Sequence, residues 1–217
     1  FLGGAIARWV RAGHSVHYLL LTKGDKGAGE DITNPGEVIK IRIQEQDNAA
    51  RILGVKSVAY LDYHDGYLIP DLKMRKKVVR VIRKYRPDIL VTCDPTNYFP
   101  SQQYINHPDH RNAGQVVIDA VFPATGNRFF FPELLEEGYL PHEVEEVWMS
   151  LTNTPDVTLD VTDHWRDRIE ALKMHSSQIG DPDAFEKRML EWVQNDDTTS
   201  FRYEENFRVI KFRRPKR

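Results

Sequence analysis

From residue 2 to residue 121 short apolar runs alternate with segments of helical period, and this order restricts the folds open to the chain. Leu2, Ala5, Ile6, Trp9 and Val10 recur at helical spacing before Gly13. Residues 16–21 are an apolar run of strand length. A helix is predicted over 36–53, ended by Gly54, then a strand over 58–61 and a turn over 62–66. A basic helix follows over 71–85, with Leu72, Val78, Val79 and Ile82 inward and its lysines and arginines solvated. Residues 89–93 are a third strand, and Ala113, Val116, Val117, Ala120 and Val121 mark one face of a helix from 112 to 121. Repeated β/α order predicts an α/β fold, a three-layer α/β/α sandwich with a mainly parallel, Rossmann-like sheet. Residues 1–12 read as a helix with no strand before them, so the sheet's first strand is expected to be missing from this sequence. The Gly3-Gly4 pair suits a helix start pressed against such a strand end.

Beyond the third β/α unit the pattern loosens. Residues 122–141 hold Phe129-Phe130-Phe131, Tyr139 and three prolines, an irregular wall able to line a sugar or acyl pocket or to pack as core. Short strands are expected over 144–151 and 157–161, then a helix capped by Thr162 or Asp163 and reaching about His175. An amphipathic helix over 183–194, a closing strand over 207–212 and a basic, frayed tail over 213–217 complete the chain. No repeat or linker divides the 217 residues, so one domain over 1–217 is expected.

The densest chemistry is Asn106-His107-Pro108-Asp109-His110-Arg111. Pro108 favours a helix's first turn, which puts His107 at the mouth of a helix and His110 about one turn on. At i and i+3 the two rings can face the same volume. The positive end of the helix dipole favours a neutral His110, the form a divalent metal binds. A second imidazole can polarise a carbonyl or carry a proton, and Asp109 can orient a ring. The glycine-rich stretch 22–35 lacks both a phosphate-binding Gly-Lys-Ser/Thr and a Gly-x-Gly-x-x-Gly turn, which disfavours a nucleotide-binding module. No Gly-x-Ser-x-Gly elbow is present, which disfavours a serine hydrolase.

His-Pro-Asp-His at 107–110 resembles the second signature of the LmbE-like (PIG-L) family of zinc-dependent N-acetylglucosamine deacetylases. Further resemblances are Phe1-Leu2-Gly3-Gly4-Ala5-Ile6-Ala7, Leu20 to Asp25, Arg42 with Glu45, Ala49-Ala50, Leu53-Gly54-Val55, Asp65-Gly66 and His175-Ser176-Ser177-Gln178. The family's first signature, His-Pro-Asp-Asp or His-Pro-Asp-Glu, would precede Phe1. The resemblance implies Zn2+ held by His110 and by two ligands expected upstream of Phe1, with His107 as the catalytic imidazole. It also implies that Arg42, Asp65 and His175 meet the substrate. From the residues alone, Arg42 could equally pair with Glu45, Asp65 could be a turn residue, and His175 could sit against a helix dipole.

The implied activity is a metal-dependent hydrolase that removes the acetyl group from an N-acetylated amino sugar. The alternative is a metal-deficient, non-catalytic relative that binds a sugar conjugate. His107 would stabilise the oxyanion or protonate the leaving amine; acting that way it is expected to be charged, against the dipole, so Asp109 or another carboxylate has to offset that effect. Were other metal ligands to lie within the chain, Asp94 and His64 are the first candidates. The partner is a small-molecule amino sugar, whose identity the sequence does not name. A formal charge of -2 gives no reason to expect nucleic acid, and no apolar run reaches membrane-spanning length, so no membrane insertion is expected. Cys93 is the single cysteine, read as a buried small side chain, which excludes an internal disulfide and fits the cytoplasm. The oligomeric state, homo-oligomer included, stays open.

Overall fold

The structure, a computed structural model, describes residues 2–27, 34–194 and 202–212. Expectations for Phe1, for 28–33 of the glycine-rich stretch and for the tail at 213–217 fall outside the described residues. The architecture is α/β, and the chain divides into two compact units, Phe1–Asp65 with Thr158–Glu205 and Gly66–Val157 with Asn206–Arg217.

The first unit opens with α1 (Gly3–Arg11), β1 (His17–Thr22), α2 (Pro35–Ile52) and β2 (Ser57–Tyr63). β1 and β2 pair in parallel, His17 opposite Ser57 and Leu20 opposite Tyr60. α2 starts where Pro35 presets the backbone and the Asn34 side chain accepts the Gly36 N–H at 2.9 Å. Ile6, Ala7, Ala49, Leu53 and Ala171 form a buried cluster, covered by Leu2, Trp9 and Val10. The start of α1 is held by the buried carboxylate of Glu205, which accepts the Gly4 and Ala5 N–H groups at 3.1 and 2.8 Å. A Cβ on Gly4 would stand 2.7 Å from Val161 Cγ2, so the close approach anticipated at this glycine is made to Val161.

A short 3-10 turn, Thr162–His164, precedes α6 (Trp165–Lys173), with no side-chain cap from Thr162 or Asp163. Instead Asp160 Oδ1 accepts the Thr162 N–H at 3.0 Å. The helix ends at Lys173, short of His175, which caps a separate short helix, α7 (Ser176–Ile179); α8 (Pro182–Gln194) follows.

In the second unit the elements are α3 (Leu72–Tyr85), β3 (Ile89–Cys93), α4 (Pro108–Asp119), α5 (Glu133–Glu136) and β4 (Glu146–Ser150). β3 and β4 are parallel in register from Ile89 opposite Glu146 to Cys93 opposite Ser150. β6 (Glu204–Lys211) runs antiparallel to β4, and the strand order is β3-β4-β6-β5, where β5 is Val157–Asp160. The pairs among β1 to β4 are thus parallel, as the β/α alternation requires, and the antiparallel pair comes from the last strand.

α3 begins at Asp71, whose carboxylate accepts the Met74 N–H at 2.7 Å, and buries Met74, Val78, Val79 and Ile82. Two details differ from the pattern. Leu72, assigned to the inner face, is exposed in the helix's first turn. Arg83, assigned to the solvated face, is buried and donates to the carbonyls of Ala124, Thr125, Asn127 and Phe130. A single guanidinium thereby satisfies several carbonyls between Ala124 and Phe130.

α4 crosses the end of β3 so closely that a Cβ on Gly114 would lie 2.2 Å from the Cys93 carbonyl oxygen. This contact seats the start of α4 at the C-terminal end of β3. Helix propensity alone would reward Gly114→Ala by about 1 kcal/mol. The backbone clash outweighs it, and overpacking of this kind costs about 3 kcal/mol. Gly114→Ala is therefore expected to lower stability by about 2 kcal/mol net, read from chemical denaturation. An unchanged or raised midpoint would show that the helix and strand are not in this contact.

Candidate active site

His107 and His110 lie together in the second unit, ring centroids 5.4 Å apart and planes at 48°. Their hydrogen bonds assign them different protonation patterns. His107 is the N-cap of α4, and its Nδ1 accepts the Asp109 backbone N–H at 3.2 Å. An accepting Nδ1 carries no proton, so in the neutral ring the proton sits on Nε2. At His110 the order is reversed. Its Nδ1 lies 3.2 Å from Asn106 Oδ1. Asn106 Nδ2 donates to the Asn97 carbonyl at 2.8 Å, which fixes the amide's orientation and presents Oδ1 to the ring. His110 Nδ1 therefore donates, and Nε2 holds the lone pair in the neutral ring.

The Asp109 carboxylate is buried and accepts two backbone N–H groups, Gly66 at 2.6 Å and Leu68 at 3.1 Å. Its oxygens fasten the 66–68 loop to α4, and a carboxylate oxygen lies within 4.8 Å of a His107 ring nitrogen. In this structure Asp109 orients the His107 ring through its backbone amide. Asp94, at the end of β3, accepts the Thr96 N–H and hydroxyl on Oδ1 at 2.9 and 2.6 Å. Burial would raise its carboxyl, but the Thr96 bonds outweigh that and hold it below the usual range.

Arg42 and His175 belong to the first unit, around the buried carboxylate of Glu45. Glu45 accepts the Ser177 N–H at 2.7 Å and hydroxyl at 2.8 Å, the Ser176 hydroxyl at 3.2 Å and Arg42 Nη1 at 3.2 Å. Burial pushes Glu45 up, and the Ser177 bonds with Arg42's charge bring it below its usual value. The Arg42–Glu45 pair read from the sequence forms, yet Arg42 Nε and His175 Nδ1 are both buried without a hydrogen-bond partner among the described residues. Asp65 ends the first unit in a turn where its N–H donates to Asp25 Oδ1 at 2.7 Å, and His64 Nδ1 lies 2.9 Å from Asp25 Oδ2.

The sequence pattern gives Glu45 only a pairing with Arg42, and it gives Asn106 and Asn97 no role. The Asn106–His110 spacing of i and i+4 was the available signal, since it makes the side chains neighbours where a helix begins.

His175 is lowered from the ordinary 6.5, first by burial and then by Arg42's positive charge, against the opposing Glu45. A depressed imidazole contributes stability that is present above its unfolded value and lost as pH falls through the folded value. Its NMR titration midpoint is expected below 6.5, and Arg42→Met should move it upward. A midpoint at or above 6.5, or one indifferent to Arg42→Met, would contradict this arrangement.

The fold and the cluster define a class: an α/β protein with paired imidazoles of opposite tautomer where a helix begins at a strand's C-terminal end. The family model described as PIG-L, GlcNAc-PI de-N-acetylase, matches residues 1–121, and the chain belongs to that family. It is 37% identical over 178 residues to diacetylchitobiose deacetylase of Thermococcus kodakarensis, covering 82% of this chain and 64% of that protein. It is 25% identical over 190 residues to 4-oxalmesaconate hydratase of Pseudomonas putida, covering 81% of this chain and 67% of that one. The solved N,N'-diacetylchitobiose deacetylase of Pyrococcus horikoshii superposes with a TM-score of 0.84 at 29% identity, covering 97% of this chain and 78% of that one. The chain thus spans a little under two thirds of the Thermococcus relative's length. No helix among the described residues is long and apolar enough to cross a membrane.

Proposed function

We propose that the chain belongs to a metal-dependent amide hydrolase that removes the acetyl group from an N-acetylated amino sugar. The observation that carries the reading is the opposite tautomers of His107 and His110, fixed by the Asp109 N–H and by Asn106. Names of the relatives support the substrate class, since the higher identity is to a deacetylase of a diacetylated disaccharide and the lower to a hydratase.

Of the ligands a divalent metal needs, His110 would supply one nitrogen. Its Nδ1 proton is committed to Asn106, so the ring offers Nε2, and the second-layer bond fixes its orientation and raises its basicity. A bound metal would supply Lewis-acid polarisation and an activated water. His107 is less suited to ligation, because a metal on Nε2 would force a proton onto Nδ1, against the Asp109 N–H.

A neutral His107 instead presents Nε2–H as a donor. Aimed at an acetamide oxygen, it would stabilise the charge that develops when the carbonyl becomes tetrahedral. It needs no net charge for this, so the helix dipole is no obstacle. Delivering a whole proton to the leaving amine would require the imidazolium, whose Nδ1–H breaks the cap. Oxyanion stabilisation is therefore the role we assign to His107. Arg42, Asp65 and His175 are proposed to bind the sugar.

In the full-length protein, His110→Ala is expected to abolish bound zinc, measured by elemental analysis. His107→Ala should retain zinc and lose acetate release from an N-acetylated amino sugar by about 100-fold or more. Loss of zinc in His107→Ala with retention in His110→Ala would reverse the roles. Acetate release untouched by either variant would end the reading.

A further inference from the structure

After β1 the chain turns at Gly24–Gly27, where the Gly27 N–H donates to the Gly24 carbonyl at 3.1 Å. Gly24 stands at φ 67°, a left-handed backbone that favours glycine. The parallel ladder of β1 and β2 shifts register after Leu20 and ends with Thr22 opposite Tyr63. Past that point the Asp25 carboxylate joins the two strand ends. Its Oδ1 accepts the Asp65 N–H at 2.7 Å, and its Oδ2 lies 2.9 Å from His64 Nδ1. Burial would raise the Asp25 carboxyl, but the Asp65 N–H and His64 outweigh it and hold it below the usual value. An ionised carboxylate only accepts, so the His64 ring donates. The two glycines meet other elements of the first unit. A Cβ on Gly24 would stand 3.0 Å from Arg42 Nε in α2, and a Cβ on Gly27 would stand 2.7 Å from Gln178 Nε2 in α7. Gln178 Nε2 donates to the Gly27 carbonyl at 3.4 Å.

We propose that the Gly24–Gly27 turn sets the register of Arg42 and Asp65 toward the sugar, with Asp25 as its positioning residue; this rests on the amino-sugar reading above, in which Arg42, Asp65 and His175 bind the sugar. One turn of four residues reaches α2 at Arg42, the end of β2 at Asp65 and, through Gln178, the short helix that His175 caps. Asp25 takes the Asp65 main chain and leaves the Asp65 carboxylate without a hydrogen bond among the described residues. A fixed main chain with an open carboxylate suits a group that accepts from a ligand hydroxyl. Arg42 is bound at Nη1 by Glu45, at 3.2 Å, and the Gly24 main chain limits the space at Nε. A ligand that must meet both side chains at once is sensitive to small displacements of the turn between them. The turn also lies at the C-terminal ends of parallel strands, where ligands of α/β sheets collect. A turn that served folding alone would act on the folded fraction and not on the affinity of the folded molecules.

The test is steady-state acetate release from N,N'-diacetylchitobiose by the full-length protein. Asp25→Ala should raise KM about ten-fold and leave kcat within about two-fold of the parent, since it removes binding that ground and transition states share. Asp25→Asn keeps an oxygen for the Asp65 N–H and loses only the acceptor for His64, so its KM should fall between those of the parent and Asp25→Ala. Gly24→Ala, which crowds Arg42 instead of releasing Asp65, should also raise KM. A parental KM in Asp25→Ala or in Gly24→Ala overturns the positioning role while leaving the amino-sugar reading in place. A fall in kcat at parental KM overturns it as well, because that is the signature of a smaller folded fraction. A KM in Asp25→Asn as high as in Asp25→Ala would assign the effect to charge and overturn it too. If the full-length parent releases no acetate, the amino-sugar reading fails and the positioning role with it.

Discussion

Asn106 is the residue on which the arrangement of the second unit turns. It is fully buried and every polar atom it has is engaged: N–H to Tyr98, carbonyl from Arg111, Nδ2 to Asn97 and Oδ1 with His110. A buried amide left without any one of these partners would cost about 1–3 kcal/mol, so the four bonds hold one another in place. Through them the chemical identity of a ring nitrogen on His110 is decided by the Asn97 carbonyl, which holds the Asn106 amide in place. Without Asn106 the loop would lose its staple and His110 its tautomer together.

Buried carboxylates do similar work on the backbone. Asp109 collects the Gly66 and Leu68 N–H groups, Glu45 the Ser177 N–H, and Glu205 the Gly4 and Ala5 N–H groups. Charge-assisted bonds of this kind are roughly twice as strong as neutral ones, which is what lets a carboxylate remain inside. The outcome at each depends on the balance with desolvation. Ser177 and Arg42 bring Glu45 below its usual value, whereas burial prevails at Glu205 and raises it despite two N–H donors. A raised carboxyl contributes stability that is full below its unfolded value and is lost as pH rises through the folded one. Glu205 therefore weakens the start of α1 at neutral pH relative to acid, and Glu45 does the reverse at α7.

Hydrophobic period made most of the α/β order legible. The strand over 89–93 matches β3 in full, and the helices and other strands fall within a few residues of their predicted ends, because short apolar runs and capping residues are local signals. What period does not encode is which polar group lies inside. Arg83 reads as one of a solvated basic run, yet it is buried, since its partners are carbonyls more than 40 residues later. The break before His175 was equally hidden, because Met174 and His175 continue the helical pattern while Glu45 pulls Ser176 and Ser177 into a separate turn. His107 and His110 stood out by type and spacing, but their different protonation depends on Asn106 and on a backbone amide, which no residue-type pattern displays.

The same relation bears on specificity. The PIG-L family places a deacetylase and a hydratase among this chain's relatives, so the shared fold does not by itself choose the reaction. A neutral imidazole donating from Nε2 and a ring offering an Nε2 lone pair will polarise a carbonyl in either setting. Selection must then come from groups that bind the rest of the molecule. Such groups are set by their own neighbours, as Arg42 and His175 are around the Glu45 carboxylate in the first unit, and not by the order of elements that relatives share.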